Sequence, residues 1–260
     1  MLSAHELTYR VGELRLLDRV SVSFAPGVLS LVVGANGAGK STLVRALCGQ
    51  LAGLEGEVRY GGRAMSGLSA GQLARVRAVL SQGIELAFPL RTWEVVMMGR
   101  YPHFTGGPEA RDERACEEAM RFFDVWEWAD RDYLTLSGGE RQRVHFARVL
   151  SQVWYPTPGA LRYLILDEPL TFLDIRYQYD FMHRVRELMA PGDLVVVGIV
   201  HDLNLAARFA DHLVMMRKGS VLAAAAPAEV LQPALVLEAF GILPAVRHDA
   251  EDGRLHLVFD

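Results

Sequence analysis

Cysteine is scarce in this 260-residue chain, with only Cys48 and Cys116 present. Two thiols cannot frame a disulfide scaffold, and Cys48 falls in an apolar helical stretch. Both read as buried, inert groups in a reducing compartment. No apolar run approaches the about 20 residues that cross a bilayer, so any membrane-spanning part must come from other subunits. Residues 1–6 lack a basic stretch leading into an apolar one, and no signal peptide is expected. Strong charge of either sign is missing too: 27 Lys and Arg stand against 31 Asp and Glu, a net charge of -4. A nucleic-acid partner is therefore not expected. There is no internal repeat. The composition is that of a folded protein, 51% hydrophobic and 22% charged, with length enough for one large or two small domains.

The pattern along the chain is α/β. Residues 2–11 and 16–24 alternate as two strands joined at Gly12 and Glu13. An apolar run over 28–33 ends in a glycine-rich loop, and a helix follows over 41–48. A short helix at 69–75 leads into a strand at 78–81. Beyond Gln82 the period changes. Residues 92–99 and 111–123 read as helices, with Ala115, Ala119, Phe122 and Phe123 on one face of the second and Gly106, Gly107 and Pro108 between the two. Residues from about 83 to 150 are expected as a mostly helical subdomain inserted into the α/β core. Flat apolar runs at 163–166 and 194–200 suit strands of a parallel sheet covered on both faces, with a helix over 174–189 between them. A hairpin at 212–217 and 220–224 turns at Lys218 and Gly219. The tail offers a helix at 234–240 and a hairpin turned at Asp252 and Gly253.

Three elements carry chemistry. In Gly34, Ala35, Asn36, Gly37, Ala38 and Gly39 the glycines let successive backbone N–H groups point inward at phosphate oxygens, and the next helix adds its positive end. Lys40 would reach the β- and γ-phosphates, Ser41 would ligate Mg²⁺, and Thr42 completes the phosphate-binding set. Strand, loop and helix stand in the order that this motif requires. Asp167 closes the apolar run 163–166, so its carboxylate emerges at the carboxyl end of the sheet, where α/β ligands bind. It suits Mg²⁺, and Glu168 would polarise a water attacking the γ-phosphate. In the third element, Leu136, Ser137, Gly138, Gly139 and Glu140 lead into a helix. Ser137 can cap it, and the glycines leave N–H groups open to an anion.

In this order and in one chain, these elements resemble the ATP-binding cassette of ABC transporters, over essentially the whole length. The resemblance implies a P-loop NTPase of ABC type: a RecA-like core, an N-terminal antiparallel β-subdomain and an inserted α-helical subdomain, all in one nucleotide-binding domain spanning 1–260. It implies ATP and Mg²⁺ as cofactors. Two copies would pair head to tail, each ATP lying between residues 34–42 of one and Ser137, Gly138 and Gly139 of the other. Gln82 matches the Q-loop, which senses Mg²⁺ and the γ-phosphate; Asp174 matches the D-loop, and His201 the switch histidine on the γ-phosphate. The family stacks an aromatic on adenine near the end of the first strand. Val11 holds that position here, and Tyr9, two residues earlier, could substitute. Phe172 stands where the family commonly has a small residue.

Residues 87–90, 95–103 and 201–207 resemble the importers of iron chelates, haem and cobalamin. Within that group, residues 14–18 after the Tyr9 strand, the Val153 and Trp154 loop and residues 170–174 look most like haem import ATPases; siderophore and cobalamin cassettes share much of this. Such a cassette would sit peripherally on the cytoplasmic face of the bacterial inner membrane. Its partners would be two transmembrane permease subunits and, indirectly, a periplasmic or surface substrate-binding protein. Soluble cassette proteins of chromosome maintenance carry long coiled-coil insertions, and no heptad array interrupts this chain. A small P-loop kinase or GTPase has no use for the element at 136–140.

Overall fold

The computed structural model describes residues 1–81, 86, 88–171, 173–249 and 254–259. β1 (Leu2–Val11) and β2 (Leu14–Phe24) form an antiparallel pair turned at Gly12 and Glu13. β3 (Leu29–Val33) enters a second sheet and runs through the glycine loop into α1 (Lys40–Leu47). β4 (Glu55–Tyr60) and β5 (Arg63–Ala64) return to the first sheet, whose order is β2-β1-β4-β5. α2 (Ala70–Val76), closed by a Ser69–Gln72 capping box, leads into β6 (Arg77–Leu80).

The chain between β6 and the next strand is helical: α3 (Thr92–Met97), α4 (Ala110–Phe122) and α5 (Gly138–Gln152). Then come β7 (Arg162–Leu166), α6 (Ile175–Met189), β8 (Leu194–Ile199) and α7 (Leu203–Phe209). β9 (His212–Arg217) and β10 (Ser220–Ala225) form the expected hairpin at Lys218 and Gly219. The chain ends with α8 (Pro227–Val230), α9 (Pro233–Phe240) and a hairpin of β11 (Ala245–His248) with β12 (Leu255–Val258). The turn expected at Asp252 and Gly253 lies outside the described residues.

The second sheet has the order β10-β9-β3-β8-β7-β6, parallel from β9 to β6. Its central strands are buried on both faces, which is why they read as unbroken apolar runs. Alternation sends Leu31, Val33, Leu164 and Leu166 to a core shared with the helices. Val32, Ile165, Val197 and Ile199 go to a core shared with α1 and the first sheet. Each such side chain contributes about 1.5–3 kcal/mol by leaving water. The sandwich holds the carboxyl ends of β3, β7 and β8 side by side.

The helices pack closely. A Cβ on Gly99 would lie 2.0 Å from the carbonyl oxygen of Arg148 and 2.3 Å from Ser151 Oγ. Gly99→Ala must push the segment after α3 off α5, and overpacking of this kind costs about 1–3 kcal/mol or more. Thermal unfolding of the variant should show a drop of several degrees with nucleotide affinity kept.

Candidate nucleotide site

The loop after β3 needs glycine at two places. Gly34 has φ 153°, and a Cβ there would sit 2.4 Å from the carbonyl oxygen of Met216. Gly39 has φ 101°, with a Cβ 2.8 Å from the carbonyl oxygen of Leu16. The backbone can therefore curl tightly against β9 and β2. Gly39 caps α1 without a side chain, and no acidic residue occupies the first turn, so the helix start presents bare N–H groups and its positive end. The Lys40 ammonium is buried and donates to the carbonyl oxygens of Gly34 at 2.7 Å and Ala35 at 3.1 Å. An ammonium has three donors, and two of them go to this loop. Burial pushes its pKa down, opposed by the carboxylates of Glu168 and Asp167. Asn36, Gly37 and Ser41 are exposed, Ala35 and Thr42 half-buried, and Ala38 buried.

Asp167 follows β7 as expected, its N–H donated to the carbonyl oxygen of Leu80 at 2.9 Å. Its Oδ1 is buried without a hydrogen-bond partner. Burial and then the neighbouring Glu168 charge push its pKa up, against Lys40, Arg45 and His201. Glu168 adopts φ 51°, a left-handed conformation that is unusual for a residue with a side chain. That turn aims its carboxylate across to β8, where Oε1 lies 2.9 Å from His201 Nε2. Glu168, Thr171, Gln178, His201 and Asp202 line a cavity of about 250 Å³.

The Ser137 turn lies on the helical part. Ser137 caps α5: its Oγ accepts from Glu140 N at 3.4 Å, while Glu140 Oε2 accepts from Ser137 N at 2.7 Å. Those bonds pull the Glu140 carboxyl below its ordinary pKa. Ser137 and Gly138 are exposed, and added side chains at Gly138 or Gly139 would meet nothing within 4 Å. Asp174 caps α6, accepting from Tyr177 N at 3.0 Å. It lines a cavity of about 370 Å³ together with Ser137, Gly139, Glu140 and Tyr177. So Lys40, Asp167, Glu168 and His201 gather at one place, and the Ser137 turn gathers with the Asp174 corner at another. Gln82 and Phe172 lie outside the described residues. Tyr9 is half-buried against the inner core, whereas Val11 and Leu14 are exposed. One link was invisible in the sequence: Gln142 Nε2 donates to the carbonyl oxygen of Pro169 at 3.0 Å, joining α5 to the segment after Glu168.

Comparison with known proteins gives this geometry its setting. The sequence pattern of the ABC transporter family matches residues 17–171. The hemin import ATP-binding protein HmuV of Bordetella avium is 43% identical over 255 residues, 98% of this chain and 97% of that protein. The chain belongs to the ABC transporter family. As an ABC ATPase it binds ATP and hydrolyses it in service of transport. Solved ABC structures share its fold. One, an inward-facing transporter described as of the metal-chelate type, has a TM-score of 0.83 at 20% identity, covering 100% of this chain and 96% of that one. Another, a dimeric bacterial ABC transporter cassette, has a TM-score of 0.74 at 24% identity over 87% of this chain and 99% of that one. The expected α/β cassette, with its separate antiparallel sheet, is thus the observed fold. ABC cassettes pair with one another and work beside permease subunits. Among the described residues, no helix is long and apolar enough to cross a membrane.

The raised Asp167 pKa has a consequence for stability. A carboxyl that holds its proton more tightly folded than unfolded destabilises the fold above its folded pKa, and the penalty fades as pH falls to the unfolded value. In chelator, Asp167→Asn should therefore unfold at a higher temperature than the parent at pH 7. The gain should shrink as pH falls toward the ordinary carboxylate range. Melting curves across pH check it, and a lower melting temperature at pH 7 would contradict the assigned cause.

Proposed function

We propose that this chain is the ATP-hydrolysing subunit of a bacterial ABC importer for haem, bound peripherally to the cytoplasmic face of the inner membrane. The observation that carries the cargo is the near-full-length likeness to a hemin import ATP-binding protein. Two permease subunits would supply the membrane path, and a periplasmic or surface binding protein would deliver cargo to them. Residues 1–260 would act as one nucleotide-binding domain, with residues from about 83 to 150 as its moving helical part.

Two copies work head to tail in this reading. The N–H groups of 34–41 and the remaining donor of Lys40 hold the β- and γ-phosphates, and Thr42 steadies the loop from the first turn of α1. Ser137, Gly138 and Gly139 of the twin close over the γ-phosphate from the other side. The orphaned Asp167 Oδ1 beside the exposed Ser41 hydroxyl fits a Mg²⁺ site of the usual kind, with few protein ligands and the rest from phosphate and water. Gln82 is assigned to the same site. Magnesium there would offset charge on the phosphate oxygens. Glu168 accepts a proton from the water that attacks the γ-phosphorus, and the bond to the β-phosphate oxygen breaks to release ADP. His201, hydrogen-bonded to Glu168, senses the γ-phosphate. Tyr9 is assigned to the adenine. Loss of the γ-phosphate removes the bridge, and the copies part.

Cargo is tested in vesicles holding the cognate permease, with ATP inside and haem, a ferric siderophore or cobalamin outside. Haem should raise ATP turnover and accumulate. Accumulation of the siderophore or of cobalamin instead would overturn the haem assignment and leave the cassette reading standing.

A further inference from the structure

Arg143, in the second turn of α5, lies between two aromatic rings. Its guanidinium carbon is 4.5 Å from the centroid of Trp128 and 4.9 Å from that of Tyr177. Trp128 belongs to the helical part, in a 3-10 turn (Trp126–Trp128) that precedes the Ser137 turn. Tyr177 belongs to α6, and its N–H is the one that Asp174 accepts. Arg143 also lines the cavity shared by Ser137, Gly139 and Asp174. One flat cation thus bridges the helical part and the core beside both elements that a twin would meet. Gln142, its neighbour in sequence, makes a second bridge through the carbonyl oxygen of Pro169. A planar guanidinium can stack on two rings at once, which a lysine ammonium cannot do equally well.

We infer that Arg143 is a positioning residue: clamped between Trp128 and Tyr177, it fixes the Ser137 turn against the Asp174 corner so that the two meet a twin as one face. The clamp touches no nucleotide. Its role rests on the reading that the Ser137 turn closes over a twin's ATP. Without the clamp, the helical part must be re-oriented each time two copies close, and pairing needs more nucleotide.

The experiment measures pairing against ATP concentration by light scattering in a Glu168→Gln background, and ATP affinity of the unpaired chain in a Gly139→Asp background. The added carboxylate of Gly139→Asp meets no neighbour but repels phosphate, so it should fold and stay unpaired. Arg143→Met, Trp128→Leu and Tyr177→Leu should each raise the ATP needed for half-pairing about tenfold, the scale of two desolvated cation–π contacts. Arg143→Met combined with Tyr177→Leu should be no worse than either alone, since each removes the same clamp. Tyr177→Phe keeps the ring and should restore pairing. With Glu168 intact, Arg143→Met should raise the ATP KM about tenfold and leave kcat within about twofold. ATP affinity of the unpaired chain should not move. Additive losses, a parallel fall in unpaired affinity, or pairing by Arg143→Met at the parental ATP concentration would overturn the clamp while Gly139→Asp still abolishes pairing. Pairing that survives Gly139→Asp would overturn the two-half-site reading and the clamp with it.

Discussion

Glu168→Gln should bind Mg-ATP, pair stably and lose turnover by about 10²–10⁴-fold, the range expected when a positioned general base is removed. Glutamine keeps the length and shape of the side chain but has no carboxylate to take a proton. It can still meet His201 Nε2, now 2.9 Å from Glu168 Oε1, so the change should be chemical and not architectural. There is also an electrostatic gain. Glu168 is the nearest charge raising the pKa of Asp167 and one of two carboxylates acting on Lys40. Neutralising it should let Asp167 ionise more readily, which favours the divalent cation while chemistry stops. Size-exclusion chromatography with Mg-ATP and a single-turnover phosphate assay would read both halves. Full turnover in the variant, or a chain that stays single at saturating ATP, would sink the assignment of Glu168 as the base.

The parts legible in the sequence were those where local pattern and chemistry coincide. The run 28–33, the glycine loop and the helix after it form a strand–loop–helix unit whose geometry is dictated locally, and Asp167 follows an apolar strand in the same way. β4 escaped because Glu55, Gly56, Glu57 and Arg59 are polar or bare, leaving Val58 and Tyr60 alone to face inward. Its Gly56, at φ 90°, packs so closely on β1 that a Cβ would lie 2.5 Å from the carbonyl oxygen of His5. That contact joins residues far apart in sequence. α7 escaped because its seven residues are too few to establish a period, and the Asp202 cap defines it. The site was legible as motifs but not as an arrangement. Nothing in residues 136–140 or 170–174 says that the Ser137 turn and the Asp174 corner share a cavity. Equally, Arg143 reads as an ordinary surface cation until Trp128 and Tyr177 are seen on either side of it.

Asp112→Ala should be the most destabilising single change in the helical part, and the sequence gave no sign of it. Asp112 and Arg100 are only 5% and 4% exposed. Arg100 Nε and Nη2 each approach Asp112 Oδ1 at 2.9 Å, and Nη1 donates to the carbonyl oxygen of Ser151 at 2.7 Å. Asp112 Oδ2 also accepts from Glu109 N at 3.0 Å, closing the start of α4. One carboxylate therefore ties α4 to the segment after α3, and its partner ties that segment to α5. Its removal strands a guanidinium in the interior, a change that costs about 3–5 kcal/mol. At about 2–4 °C per kcal/mol for a chain of this size, melting should fall by about 10 °C or more. By contrast, Arg121→Ala breaks an exposed pair with Glu117 and should cost no more than about 1 kcal/mol. Calorimetry of the two variants side by side is decisive, because both lose one helix ion pair and only burial differs. Equal shifts would mean that solvent reaches the Arg100 guanidinium, and the three helices would then not move as one body when the nucleotide closes the site.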